Sequence, residues 1–162
     1  MEKKFEITEE FIINNSGVKL YRIKALKDFS DVKKGDFGGY VQQESNLSQF
    51  GNSWIYDNAW VYDDAKVFGE AQVFGDAKVF GDAKIYGDAW IYDNAKVYDD
   101  AEIFGDAWIC GNAWIFDNAE VYGNAWIYGN AKVYGDAWIF GDAKVFGDAK
   151  VFGDAKVFGD AK

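Results

Sequence analysis

Val79-Phe80-Gly81-Asp82-Ala83-Lys84-Ile85-Tyr86-Gly87-Asp88-Ala89-Trp90 is one six-residue unit written twice. The unit reads Val/Ile, Phe/Tyr, Gly/Asp, Asp/Asn, Ala and a variable residue, and eighteen alanines from Ala59 to Ala161 keep its period without a slip. So short a repeat cannot bury its own apolar face, so copies must coil and stack into a solenoid. Ala, the variable residue, Val/Ile and Phe/Tyr run on as a strand. Alternation sends Ala and Val/Ile inward and the other two outward. Gly or Asp, followed by Asp or Asn, then makes a corner: Gly supplies positive φ, and the Asx side chain is expected to bond its own backbone. One small and one branched inward residue per side leaves a narrow triangular core, closed by three hexads in an eighteen-residue coil. The chain is therefore expected to be all-β, with a parallel β-helix of about six coils, ~30 Å long, over residues 41–162.

Upstream the repeat disappears. Lys4 to Thr8 and Val18 to Leu26 alternate as strands do, with a turn signal at Asn14-Asn15-Ser16-Gly17 between them. Val41 and Leu47 already stand six apart, and a two-residue insertion around Phe50 breaks the phase before Ile55 restores it. Residues 1–40 are expected to form a small β-rich cap over the first coil. Downstream the sequence stops within perfect copies, so Val151, Phe152, Val157 and Phe158 are expected to form an edge open to self-association.

These residues resemble the hexapeptide-repeat family: an aliphatic residue, three variable positions, a small residue and another variable one. The resemblance covers roughly residues 41–162 and implies a left-handed helix, which periodicity alone does not give. A closer resemblance is to YdcK-type and prophage-encoded proteins with a Gly-Asp-Ala repeat. It includes the cap segment Leu20-Tyr21-Arg22-Ile23-Lys24-Ala25-Leu26-Lys27-Asp28-Phe29 and Gly38-Gly39. That likeness implies a phage or prophage context more than an activity.

Composition narrows the function. The net charge is −10, and residues 1–50 balance eight basic against eight acidic side chains, so the excess lies on the rod. This argues against direct binding of a nucleic-acid backbone, which needs clustered Lys and Arg. No apolar run reaches the ~18 residues of a membrane span and no signal peptide opens the sequence. The expected location is the cytoplasm of a bacterial host. Hexapeptide-repeat relatives include histidine-dependent acyltransferases and zinc enzymes, but this sequence has no histidine. No catalytic residue, metal or cofactor is expected. Cys110 stands in an aromatic row with no base near it and reads as a tolerated substitution.

Residues eighteen apart lie above one another, which makes faces legible as columns. One face carries Trp54, Gln72, Trp90, Trp108, Trp126 and Lys144, beside a row containing Tyr92 and Tyr128. Four readings of this aromatic strip stand side by side: reinforcement of the ladder, self-association, contact with a foreign protein, and stacking on carbohydrate or nucleobases. A corner column reads Asp64, Asp82, Asp100, Asn118, Asp136, Asp154. Turn chemistry explains it, while a line of carboxylates mimicking a phosphate backbone and a calcium site are the sharper alternatives. The functional expectation is a non-enzymatic binding protein whose rod engages, and inhibits, a host defence or DNA-processing protein. The alternative is a homo-oligomeric scaffold that polymerises through the last coil.

Overall fold

The computed structural model describes residues 3–159. Two long strands open the chain, β1 (Phe5–Ile13) and β2 (Lys19–Ala25), paired antiparallel around the Asn14–Gly17 turn. The third, β3 (Phe37–Val41), pairs antiparallel with β2 on one side and parallel with Trp60–Val61 on the other. Cap and solenoid thus meet within one strand, and residues 40 and 41 both belong to it. The hairpin extends one wall of the rod into a nine-stranded sheet; the other two walls have six strands each.

From Trp54 onward every strand is two residues long, a variable residue followed by Val or Ile. Neighbouring rungs pair parallel and in register at a spacing of eighteen, as in Trp90↔Trp108 and Ile91↔Ile109. This is a parallel β-solenoid with three hexads per coil. The two-residue insertion is visible at the start, where Val41 faces Val61 and Leu47 faces Val67, twenty apart. The inward positions are sealed: Ala59 to Ala143 and Ile55 to Ile139 are fully buried at every hexad. Gly38-Gly39 lets β3 lie against the first coil. A Cβ on Gly39 would stand 2.5 Å from both the Ala59 carbonyl oxygen and Ile55 Cγ2.

The corners differ from the expectation. The first corner residue is left-handed whether it is Gly or Asp; Asp57, Asp63, Asp93, Asp99 and Asp117 hold φ between 56° and 60°. Their carboxylates accept from the backbone N–H of the residue eighteen on, at 3.0–3.3 Å. In several rungs an asparagine at the second corner position donates to the same position one coil on, as in Asn118 Nδ2 to Asp136 Oδ1 at 3.1 Å and Asn124 Nδ2 to Asp142 Oδ1 at 3.1 Å. The Asx bond to the residue's own backbone does not form, because the N–H it would need is taken. For Asn58 that donor is Trp60 N–H, which already donates to the Ala77 carbonyl at 3.0 Å.

Candidate binding face

The structure places Trp90, Trp108 and Trp126 on one wall as a stack. Ring centroids are 5.1 and 4.9 Å apart and the rings lie within 2° and 4° of parallel. Register forces this: in a parallel ladder each side chain stands over its equivalent one rung below. Tyr92 lies beside them, stacked on Phe74 at 5.0 Å and edge-on to Trp108 at 6.5 Å. Cys110 then interrupts the aromatic row, which resumes with Tyr128 on Phe146 at 5.3 Å. Burial, and then the neighbouring thiol, push the Tyr92 phenol up. Burial also pushes the Cys110 thiol up, away from nucleophilic character.

Trp54 departs from the expected face. It shares the column but is 1% exposed, held edge-on by Phe5 at 6.3 Å and Phe29 at 5.2 Å. The cap covers the first coil, so this tryptophan belongs to the core. Lys4, read from the sequence only as the start of a strand, is buried beside it. Its ammonium donates to the Ser53 carbonyl at 2.7 Å and lies 5.2 Å from the Phe29 ring. Burial lowers its pKa to about 8.

Stacked aromatics are not peculiar to this wall. The Phe/Tyr position forms columns on the other two as well, for instance Phe80 on Tyr98 and Tyr86 on Phe104, at 4.8 and 4.9 Å. What distinguishes the first wall is its variable position. Elsewhere each tryptophan has a lysine of its own chain against it: Lys78 on Trp60 at 4.6 Å, Lys96 and Lys132 on Trp114 at 5.3 and 4.7 Å, Lys156 on Trp138 at 5.1 Å. On the first wall only the end of the stack is so covered, by Lys144 on Trp126 at 5.4 Å. The spacing of eighteen that aligned the tryptophans would also have found these lysines.

The corner column Asp64, Asp82, Asp100, Asp136 and Asp154 is exposed along its length. Left-handed Asp99 and Asp117 thicken it in the middle, where a shallow groove of about 480 Å³ runs. On the adjoining wall the Glu120 carboxyl is pushed up by burial and by Glu102 one rung away. Among the described residues no group of three acidic, His or Cys side chains could hold a metal ion.

At the far end Val151 and Val157 are half-buried, while Phe152 and Phe158 are 56% and 60% exposed. Together with Val145 and Ala149, the two valines line an apolar hollow of about 320 Å³ in the last described coils.

Fold and faces define a hexad-built parallel β-solenoid with patterned outer walls. No protein-family model matches the chain. A similar relative is the Escherichia coli (strain K12) protein named uncharacterized acetyltransferase YdcK, 40% identical over 62 residues, 34% of this chain and 19% of the relative. The match spans about a fifth of the relative's length. Among the described residues no helix is long and apolar enough to cross a membrane.

Proposed function

We propose that this chain is a non-catalytic binding protein of phage or prophage type, acting in the cytoplasm of a bacterial host. Its acidic, aromatic rod holds a host protein, a defence or DNA-processing factor being the concrete form. The observation that carries this reading is the Trp90–Trp108–Trp126 stack, on a wall where lysine covers only the Trp126 end. Ladder stability needs no tryptophan there, since other rungs carry Lys, Gln or Glu at the variable position of equally regular strands. Acetyl transfer, which the relative's name suggests, is not part of this reading. Imidazole is the commonest general base, and the sequence has no histidine.

Affinity capture from a bacterial lysate tests it. A stoichiometric partner is expected with the unaltered chain and is expected to vanish when Trp90, Trp108 and Trp126 are all replaced by Lys. A partner retained unchanged by that variant would sink the reading.

A further inference from the structure

The wall that carries the tryptophan stack also has the fewest lysines at its variable positions among the described residues. Its variable positions read Trp54, Gln72, Trp90, Trp108 and Trp126 before the first lysine, Lys144. Along its edge run the exposed carboxylates Asp88, Asp106 and Asp142, which with the three tryptophans line a groove of about 700 Å³. Both ion pairs among the described residues, Lys3–Glu44 and Arg22–Glu10, lie outside it in the cap region. The groove therefore offers an aromatic floor and an acidic rail, with cations of its own chain only at the Lys144 end.

The rest of the molecule shows what fits such a floor. Trp60, Trp114, Trp126 and Trp138 each hold a lysine ammonium 4.6–5.4 Å from the ring centroid. Trp90 presents one such face without a lysine, since Gln72 lies below it, whereas Trp108 is stacked on both faces by Trp90 and Trp126. An ammonium or guanidinium over an indole face is attracted by the ring quadrupole, and the adjacent carboxylates add long-range steering. A second copy of the chain is a poor occupant, because each copy carries −10. We infer that the groove along Trp90, Trp108 and Trp126 binds an extended, Lys- or Arg-rich segment of a partner protein, one cation seated on the open face of Trp90 and others paired with Asp88 and Asp106. This rests on the reading of the chain as a binding protein and specifies the chemistry of the partner.

The test is titration of the full chain with a synthetic Arg-Gly repeat peptide, followed by tryptophan fluorescence and calorimetry. A peptide with citrulline in place of arginine serves as control. Saturable one-to-one binding is expected for the arginine peptide, with affinity at least about tenfold weaker for the citrulline one. Trp90→Leu/Trp108→Leu should weaken binding by about tenfold or more, and Asp88→Asn/Asp106→Asn should weaken it and flatten its salt dependence. Gln72→Lys keeps every tryptophan and supplies a lysine one rung below Trp90, as Lys96 lies below Trp114; it should compete with the peptide and lower affinity several-fold. Equal binding of the two peptides, or affinity unmoved by both the leucine pair and Gln72→Lys, overturns the inference. Preference for an oligonucleotide, or for a second copy of the chain in sedimentation, overturns it too. If the peptide fails while the tryptophan-to-lysine variant still loses its captured partner, the cationic-segment assignment falls and the binding reading stands.

Discussion

Trp54 and Trp126 occupy the same column of the same wall, four rungs apart, and play opposite parts. Trp54 is 1% exposed between Phe5 and Phe29, whereas Trp126 is 40% exposed and touches mainly its equivalents on adjoining rungs. The backbone that carries them is the same. What differs is whether another layer of chain lies on top, and this divides the molecule into a junction built from unique contacts and a rod built from repetition. At the junction, contacts join residues that the repeat does not relate, such as Trp54 with Phe5 and Phe29. Along the rod the inward Ala and Val/Ile hold the coil, and the outward variable residue is left to serve the surface. The sharpest way to break this comparison is truncation of each tryptophan in turn. Trp54→Ala should cost about 3–5 kcal/mol, the range for emptying a buried aromatic site. Trp108→Ala should cost about 1 kcal/mol, the scale of an exposed aromatic pair. Urea unfolding followed by circular dichroism measures both, and equal losses would dissolve the distinction between junction and rod.

The second test is pH. Lys4 is buried against carbonyls at the junction, with a folded pKa lowered from 10.5 to about 8 chiefly by burial. Between those values the unfolded chain binds more protons than the folded one, so junction stability rises with pH across that window. The full gain is about 3 kcal/mol at 1.36 kcal/mol per unit. Tyr56, Tyr62 and Tyr98 have phenols pushed up by burial, which disfavours the folded state once unfolded phenols ionise near pH 10. The clean window is therefore pH 8 to 10. Unfolding midpoints there should climb for the native chain and stay flat for Lys4→Met; a parallel climb in both would place the linkage elsewhere.

The contrast between the regions also explains what could be read in advance. The rod was legible because one rule, eighteen residues per coil, fixes register, inward residues and columns together. Asp64, Asp82, Asp100, Asp136 and Asp154 duly align along one exposed corner, and Trp90, Trp108 and Trp126 form one stack. The burial of Trp54 was not legible, because it depends on where the cap's Phe5, Phe29 and Lys4 come to rest, and no periodicity relates those residues to the rungs. The corner bonds were missed for a different reason. Local turn rules treat an Asx side chain as choosing among its own backbone neighbours, whereas in a stacked coil the backbone donors are already committed and the next rung is in reach. The cationic character of the Trp114 and Trp60 surroundings was within reach of the column arithmetic, once lysine was treated as a partner of the rings rather than as a solvated charge.

The corners give the smallest effect and the finest test of how repetition stabilises the rod. Asp117 is left-handed at φ 59°, and its carboxylate accepts from Gly135 N–H at 3.0 Å. Its own N–H donates to Asp99 at 3.3 Å. Two terms oppose each other here. A non-glycine residue in the left-handed region costs about 1–2 kcal/mol, while a hydrogen bond to a carboxylate recovers about 1.5–3 kcal/mol where water is excluded and less at an exposed corner. Asp117→Ala keeps the backbone cost and loses the bond, so it should destabilise by about 1–2 kcal/mol. Asp117→Gly removes both, and relieves repulsion from Asp99, so it should fall within about 0.5 kcal/mol of the native chain. Thermal midpoints of the two variants at low and moderate salt separate the terms. If Ala and Gly prove equal, the left-handed backbone costs nothing here; if Ala equals the native chain, the carboxylate bond contributes nothing and the aspartates at these corners serve only the charge of the surface; if Gly is as costly as Ala is expected to be, the inter-coil bond outweighs the backbone term.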